Sequence, residues 1–205
     1  MYFVKTPWWL RSVYPSLTWK IPTKENQVFL TFDDGPHKTI TPFVLNTLKK
    51  YNAKATFFCI GKNVESNPAI VKQILNEGHS IGNHTYNHLN GWKTNNEVYL
   101  KDVMKAKEVI NSKLFRPPYG RIRRYQIQHI QKSFDIIMWG VLSGDFDVSL
   151  SPQQCLQYVV ENTKPGSVVV FHDSEKAFSR LEYVLPKALQ YFHEKGWKCK
   201  QIEFA

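Results

Sequence analysis

The chain has 205 residues, of which 42% are apolar, and its 27 lysines and arginines exceed its 17 aspartates and glutamates by ten charges. This length corresponds to about one domain, and the composition excludes a disordered chain, a collagen-like fibre and a small disulfide-rich protein. The three cysteines, Cys59, Cys155 and Cys199, are far apart and lack metal-site spacing, so we expect free thiols.

The positive charge alone would favour a partner such as nucleic acid or another anionic polymer. Its tightest cluster is the run Arg121-Ile122-Arg123-Arg124, and no nucleic-acid-binding motif accompanies it. We therefore expect a solvated basic surface and no nucleic-acid partner. No apolar run approaches the roughly 18 residues of a membrane span or the core of a signal peptide, so the sequence alone predicts no membrane span and a cytoplasmic location.

Short apolar runs rich in β-branched and aromatic residues alternate with segments of helical period. In the first half we predict strands at 28–32, 55–59 and 79–82. The helix after the first strand has Thr41 as N-cap and Pro42 in its first turn. The helix after the second strand runs from Asn67-Pro68 to Gly78 and buries Ile70, Val71, Ile74 and Leu75. In the second half we predict helices at 95–112, 123–132 and 181–193, strands at 114–116, 136–141, 167–171 and 197–204, and a helix opened by the capping box Ser151-Pro152-Gln153-Gln154.

Six or seven strand-then-helix units with short connections predict an α/β fold with buried parallel strands. A doubly wound sheet and a barrel both fit this alternation. An eight-unit barrel typically needs about 250 residues, so a barrel of this length would be short or irregular. Residues 1–27 precede the first unit, and Trp8, Trp9, Leu10, Val13 and Trp19 suggest that they form a flap packed on the main domain, residues 28–205.

Polar motifs follow five of the predicted strands. Each has an ordinary explanation by itself, such as a turn, an unliganded histidine pair or a hydrogen-bonded core histidine. Because the carboxyl ends of parallel strands face one side of the sheet, however, we expect all five to meet at one rim. The motifs are Asp33 to His37, His84 to His88, Arg116 to Gly120, Gly144 to Asp147, and His172 to Ser174.

Together these residue types contain the parts of a hydrolytic metal site. Two histidines and one carboxylate are a common catalytic zinc shell, and a helical His-x-x-x-His would present both rings on one face. A second carboxylate can take a proton from water, a separate histidine can protonate a leaving group, and an arginine can orient the base. Adjacent aspartates on an extended segment point to opposite sides, so Asp33 and Asp34 can take different roles.

These motifs resemble those of the polysaccharide deacetylase family, also called carbohydrate esterase family 4 or the NodB-homology domain. The resemblance extends from about Val28 to Phe204. Thr31-Phe32-Asp33-Asp34-Gly35-Pro36 is similar to the first family motif, His84 to His88 to the second, and Arg116 to Gly120 to the third. The resemblance implies a distorted (β/α)7 barrel and hydrolysis of N-acetyl groups on an amino-sugar polymer or oligomer such as peptidoglycan or chitin, with release of acetate.

The resemblance also implies a role for each motif residue. Asp34, His84 and His88 would bind a divalent metal, most often Zn²⁺, with Co²⁺ or Ni²⁺ as alternatives. Asp33 would be the general base, oriented by Arg116. His172 would be the general acid, kept protonated by Asp145. The backbone N–H of Tyr119 would join the metal in stabilising the oxyanion.

Two positions depart from the family pattern: Phe146 stands where tryptophan is usual, and Val170 stands where leucine is usual. Both would line the acyl pocket, so the departure concerns the preferred acyl group or sugar. With Tyr119 and Trp139 they form our predicted substrate-binding set, although the place of Trp139 inside a predicted strand favours barrel packing. Asp147 and Asp173 receive only loop or helix-cap roles, and Glu175 is interpreted as solvated.

Alternative functions remain open from the sequence. The same apparatus would serve an O-acetyl esterase or a small-molecule amidohydrolase. A carbohydrate-binding protein without catalysis would be favoured by loss of a motif residue, yet Asp33, Asp34, His84, His88 and His172 are all present. The hypothesis of an anion- or nucleic-acid-binding module is supported only by the positive net charge. The resemblance implies an N-acetylated glycan as partner and a place at the cell envelope, in contrast to the missing export signal, and the oligomeric state is not specified.

Overall fold

The computed structural model describes residues 2–203. The strands are β1 (Gln27–Asp33), β2 (Ala55–Cys59), β3 (Ser80–Asn83), β4 (Leu114–Phe115), β5 (Asp135–Ile136), β6 (Val141–Leu142), β7 (Val168–His172) and β8 (Lys198–Cys199). The helices are α1 (Trp8–Val13), α2 (Ile40–Lys50), α3 (Gly61–Ser66), α4 (Pro68–Asn76), α5 (Asn96–Val109), α6 (Arg124–Ile130), α7 (Pro152–Asn162) and α8 (Glu175–Glu194), and a 3₁₀ turn spans Pro118–Gly120.

The strands form one parallel sheet in the order β5-β4-β3-β2-β1-β7-β6, with β8 added beside β1. The sheet curves into the distorted (β/α)7 barrel expected for this fold class. The central strand β1 is buried along nearly its whole length because it is covered on both faces. Val28, Leu30 and Phe32 lie in the core cluster under the helices, whereas the alternate residues Phe29, Thr31 and Asp33 belong to the other face, as the two-residue period of a strand requires.

The predicted strand at 136–141 is wrong as a single element. Residues 137–140 carry the chain from one edge of the sheet to the other: Ile137 N–H still bonds the Phe115 carbonyl at 2.8 Å, and Gly140 N–H already bonds the Val168 carbonyl at 3.0 Å. Within residues 2–203, β5 and β6 do not pair with each other. On this side the barrel is therefore closed by the connecting residues 137–140 and not by hydrogen bonds between β5 and β6.

Residues before β1 cover this irregular side. Thr18 bridges Ile137 in parallel, Lys5 bridges Val141 antiparallel, and Lys20 bridges Ser167 antiparallel. Leu17 and Trp19 are buried, at 6% and 7% exposure. Three other residues predicted to pack on the main domain, Trp8, Trp9 and Val13, are 79%, 47% and 48% exposed, so the prediction is wrong for them. The division of the chain at residue 27 stays a proposal.

Other boundaries differ for local reasons. The prediction of Thr41 as N-cap is wrong: α2 begins at Ile40 with Thr39 as its cap residue, and the Thr41 hydroxyl, inside the helix, donates to Asp173. In α4 only Ile74 is fully buried and Leu75 is 48% exposed, so the buried stripe is narrower than predicted. Helix α8 begins earlier than expected and includes Pro186. The predicted terminal strand is reduced to β8, and its predicted end, Phe204, lies outside the described residues.

Several sequence signals are confirmed. Gly78 follows α4 with φ +76°, the left-handed conformation in which glycine is favoured. The Ser151 side chain and the Gln154 side chain form the predicted reciprocal capping box of α7. The helix predicted over 95–112 is present as α5, Asn96–Val109, and Asn95 is its N-cap, accepting a hydrogen bond from Glu97 N–H. All three cysteines are free and buried.

Candidate active site

A cleft of about 1010 Å³ opens at the carboxyl ends of the strands. Its lining residues come from the ends of β1, β3, β6 and β7 and from the loops that follow them. The parallel ladder places Asp33 opposite His172 of β7 and opposite Phe58 of β2, so the first and fifth motifs lie side by side. The cleft residues from the predicted set are Asp33, Asp34, His84, His88, Tyr119, Trp139, Phe146, Val170 and His172.

Asp34, His84 and His88 form a compact group of potential metal ligands. One donor atom from each lies within 4.8 Å of the other two. Asp34 Oδ1 is 3.1 Å from His88 Nε2 and 3.6 Å from His84 Nε2. Two imidazoles and one carboxylate are a donor set typical of catalytic zinc, so the residues present fit a divalent ion.

The surroundings of this group favour ligand behaviour. His84 Nδ1 lies 2.8 Å from the Arg116 carbonyl oxygen, which directs Nε2 towards Asp34, as is usual for metal-binding histidines. Burial lowers the pKa of His84 to about 4, so its ring is neutral near pH 7. Burial raises the pKa of Asp34, but the hydrogen bond from His88 and the nearby histidine charges hold it well below its usual range. Both groups are therefore in the protonation state that metal binding requires.

The His84 to His88 segment is a loop, so its two rings are not brought together by helical geometry. Asp102 of α5 holds it: its Oδ2 accepts hydrogen bonds from the N–H groups of Tyr86 and Asn87, each at 2.9 Å. Positive φ angles at Thr85 (63°) and His88 (57°) turn the backbone so that both rings face Asp34. Four of the five non-glycine residues with positive φ in the described chain lie in the motifs, namely Asp34, Thr85, His88 and Tyr119. Such strain is typical of functional sites.

Asp33 and Arg116 form a buried ion pair beside the metal-ligand group. Arg116 is fully buried, and its Nη1 donates to Asp33 Oδ1 and to the Thr31 hydroxyl, each at 2.7 Å. Its Nε and Nη2 donate to the carbonyls of Ile137 and Met138, and Phe58 lies 4.1 Å below the guanidinium. Every part of the guanidinium is thus held, which fixes one Asp33 oxygen in place.

His172 and Asp145 form the second pair. Asp145 is fully buried and accepts two hydrogen bonds from His172, one from the backbone N–H and one from Nδ1, both at 2.8 Å. Burial lowers the pKa of His172, but the charge and hydrogen bond of Asp145 outweigh it and raise the pKa to about 9. Arg180 of α8 bonds the Asp145 carbonyl and so anchors the loop. A protonated imidazole is therefore presented to the cleft at neutral pH.

The predicted substrate-binding residues surround these groups. Phe146 packs edge-on against the His172 ring, with centroids 5.1 Å apart. Tyr119 is 61% exposed, and its ring lies 4.7 Å from that of His88. Within residues 2–203 its backbone N–H donates no hydrogen bond. Val170 is buried in β7 and still borders the cleft, and Trp139 lies in the crossing segment, where it meets Gly120 and borders the cleft too.

Sequence reasoning missed two buried carboxylates that support the site. Asp102, described above, is 16 residues from the loop that it holds. Asp173 follows His172, is fully buried, and accepts a hydrogen bond from the Thr41 hydroxyl, while its N–H donates to the Asp33 carbonyl at 3.1 Å. Burial raises the pKa of Asp173 to about 8. The place of Asp173 directly after His172, the predicted acid, was the one sequence signal for a supporting role. Its partner Thr41 is too distant in sequence to be recognised in this way.

Comparison with known proteins agrees with the fold. Residues 20–135 match the family described as polysaccharide deacetylase, and the chain belongs to that family. A peptidoglycan-N-acetylglucosamine deacetylase of Bacillus cereus is 42% identical over 178 residues, which cover 81% of this chain and 64% of the relative. The chain therefore spans just under two thirds of the length of that relative.

Solved structures show the same architecture. The peptidoglycan N-acetylglucosamine deacetylase Bc1960, solved with 4-naphthalen-1-yl-N-oxidanyl-benzamide, superposes with a TM-score of 0.87 at 36% identity, covering 96% of this chain and 95% of that one. A pseudoenzyme of carbohydrate esterase family 4 from Bacillus anthracis also superposes, with a TM-score of 0.78 at 26% identity, covering 90% of this chain and 66% of that one. The fold therefore does not by itself establish activity, which depends on the residues of the site. No helix among residues 2–203 has the length and apolar character to cross a bilayer.

Proposed function

We propose that this chain is a metal-dependent hydrolase that removes N-acetyl groups from an amino-sugar polymer or oligomer, peptidoglycan or chitin-like, and releases acetate. The observation that carries the proposal is the meeting of three units in one cleft: the ligand group Asp34-His84-His88, the pair Asp33-Arg116 and the pair His172-Asp145. The names of the B. cereus relative and of Bc1960 support N-acetylglucosamine in peptidoglycan as the substrate unit.

Asp34, His84 and His88 would hold the metal, and their donor set favours Zn²⁺, with Co²⁺ or Ni²⁺ as alternatives. A divalent ion bound here supplies Lewis-acid polarisation of the acetyl carbonyl and lowers the pKa of water. Among residues 2–203 three protein ligands converge, a number typical of catalytic and not of structural zinc sites.

Asp33 is the proposed general base. It is 4% exposed and held by Arg116, so its free oxygen has a fixed position beside the ligand group. As a carboxylate, Asp33 can accept a proton from the attacking water. Thr31 and two backbone carbonyls hold the Arg116 guanidinium in place. Asp33, which is bonded to that guanidinium, therefore keeps its position when it accepts the proton.

His172 is the proposed general acid. With its Nδ1 held by Asp145, the other ring nitrogen is directed into the cleft and can donate a proton to the amine nitrogen as the C–N bond breaks. The backbone N–H of Tyr119 would donate a hydrogen bond to the acyl oxygen as negative charge develops on it. Phe146, Val170, Leu142 and Trp139 supply an apolar wall for the acyl methyl group.

An acetate-release assay tests this proposal. Zinc-loaded protein is incubated with N-acetylglucosamine oligomers, peptidoglycan, acetylxylan and small N-acetyl sugars, and acetate is quantified before and after addition of a chelator. We expect release from amino-sugar substrates, loss of release with chelator, and recovery on addition of zinc. Release from acetylxylan alone would show the O-acetyl esterase instead, and release from small N-acetyl compounds alone would show a small-molecule amidohydrolase. Failure to bind a divalent ion after reconstitution would contradict the mechanism.

A further inference from the structure

A cavity of about 430 Å³ lies at the opposite end of the barrel from the catalytic cleft. It is formed by the turn before β2, the end of α8 and the segment around β8. Because β8 pairs with Gln27 and Val28, the first two residues of β1, the cavity is at the amino end of the sheet, whereas the cleft is at the carboxyl end. Its volume is in the usual range for small-molecule sites.

The side chains at this cavity carry positive charge, so we call it the basic cavity. Lys54, Lys198 and Lys200 line it, and among residues 2–203 no aspartate or glutamate does. Lys198 and Lys200 are exposed and flank the buried Cys199, so the alternation of an extended chain places both on the same face. Glu25 Oε2 is 3.9 Å from Lys198 Nζ, but these side chains are 62% and 71% exposed, so solvent weakens the pair.

Hydrogen bonds of the backbone fix the walls of the basic cavity. Lys54 N–H donates to the Cys199 carbonyl at 3.0 Å, which joins the turn before β2 to β8. Lys200 N–H donates to the Val28 carbonyl, also at 3.0 Å. The Lys54 ammonium donates to the Glu77 carbonyl, so this side chain is held as well. The fold itself therefore brings the three lysines to one place.

The ends of the neighbouring helices do not account for these three lysines. The partial negative charge of terminal carbonyls favours lysine in the last turn of a helix, which explains Lys49 and Lys50 at the end of α2. Lys54, Lys198 and Lys200 lie outside the helices, before β2 and along the β8 segment. Ammonium groups gathered at one cavity repel one another, so an anion bound among them would stabilise the folded chain.

We propose that the basic cavity binds a phosphate group. Three ammonium charges favour a compact anion that carries nearly two negative charges over a singly charged carboxylate. Asn52 and His193 also line the cavity and can supply uncharged N–H donors to the phosphate oxygens. The ring of Trp197 lines the cavity too and stacks on Phe192, with centroids 5.8 Å apart, so it offers a fixed apolar surface to the rest of a phosphorylated molecule.

Titration of the ¹⁵N-labelled full chain with sodium phosphate tests the inference. Chloride keeps the ionic strength constant, and the indole N–H resonances of Trp197, in the basic cavity, and Trp92, at the catalytic cleft, are followed separately. We expect a saturable shift of the Trp197 resonance. Lys200→Gln should weaken this binding about fivefold, the effect of losing one charge pair at a protein surface, and Lys200→Arg should retain it. Lys132→Gln, at an exposed lysine between α6 and β5, is the matched control and should bind as the wild type does.

Methyl phosphate and dimethyl phosphate distinguish the source of the phosphate group. Tighter binding of methyl phosphate would indicate a small phosphorylated molecule, and equal or tighter binding of dimethyl phosphate would indicate a phosphodiester chain.

Three results would overturn the inference: a phosphate-dependent shift of Trp92 without one of Trp197, an equal affinity for acetate, or an unchanged affinity in Lys200→Gln. Because Lys200 is exposed, its replacement is compatible with folding. The measurement requires no acetate release, so its outcome is independent of the proposed function.

Discussion

Arg116 Nη1 lies 2.7 Å from Asp33 Oδ1, and both side chains are almost completely removed from solvent. A buried ion pair is weak evidence for stability, because loss of hydration offsets much of the attraction between the charges. The pair matters here because it fixes positions: the Arg116 side chain donates hydrogen bonds to four residues, Thr31, Asp33, Ile137 and Met138, and Asp33 has one oxygen left for chemistry. This relationship makes Asp33 the carboxylate whose replacement is most informative.

Asp33→Asn is expected to lower kcat by about 100- to 10,000-fold, the usual contribution of a general base. The amide keeps a hydrogen-bond acceptor for Arg116 but cannot take a proton from water. Acetate release and zinc content are measured together, since zinc should still bind at Asp34, His84 and His88. The control is Glu175→Gln, which neutralises an exposed carboxylate at the rim of the same cleft. A fully active Asp33→Asn enzyme would show that the base lies elsewhere.

The His172–Asp145 pair gives an expected pH profile. A general acid must be protonated, and the pKa of His172 is raised to about 9, so kcat/KM should fall as the pH rises through about 9. Asp145→Asn removes the charge that raises this pKa, so the alkaline limb should move to lower pH, with reduced activity at pH 8. The profile is measured from pH 6 to 10 with the zinc-loaded enzyme. Asp135→Asn, an exposed aspartate in β5, is the control and should leave the limb in place; an unmoved limb in Asp145→Asn would contradict the assignment.

The site residues could be located from the sequence because their information is local. Asp33 and His172 end their strands, His84 and Arg116 directly follow theirs, and parallel strands bring their carboxyl ends together. The supporting contacts could not be found in this way. Asp102 lies on α5 among ordinary helix residues, and its partners are the N–H groups of a loop, which no residue pattern identifies.

The wrong strand and helix predictions have a similar cause. Residues 136–141 have the composition of one strand, yet their first residue pairs with β4 and their last with β7. This change of partner depends on where the barrel closes, which the local sequence does not specify. Leu75 continues the apolar stripe of α4, but whether it is covered depends on the neighbouring helices. The positive φ angles at His88 and Tyr119 likewise follow from the tertiary contacts that hold their loops.

Gly82 is expected to be required for the support of Arg116. A Cβ at this position in β3 would lie 2.5 Å from Phe58 Cδ1 and 3.2 Å from Leu114 Cβ. Phe58 in turn supports the Arg116 guanidinium, so Gly82→Ala should displace both side chains. We expect a loss of about 1–3 kcal/mol in the free energy of unfolding, measured by urea denaturation, together with reduced kcat. Gly140→Ala is the control, because its Cβ would meet no atom closer than 3.5 Å; equal losses for the two variants would contradict this explanation.

His79 lies outside the catalytic cleft and should make the stability of the fold sensitive to acid. It is 6% exposed, and its Nδ1 accepts a hydrogen bond from Ala55 N–H at 3.1 Å. Burial, with a smaller contribution from Lys54, lowers the pKa of His79 from 6.5 to about 4. The unfolded chain therefore binds this proton more tightly than the folded one does. The stabilisation is complete above pH 6.5 and is lost as the pH falls towards 4.

Thermal unfolding of metal-free protein at pH 7.5, 6.0 and 5.0 measures this effect. The wild-type Tm should fall between pH 6.0 and 5.0, and His79→Asn, which keeps an acceptor for Ala55 N–H but does not titrate, should lessen that fall by roughly 2–4 °C. His129→Asn is the matched control, because His129 is a partly exposed histidine near the end of α6, and the Tm of this variant should depend on pH as that of the wild type does. If His79→Asn instead lost as much stability on acidification as the wild type, protonation of His79 would not contribute to acid unfolding, and other buried groups would have to account for it.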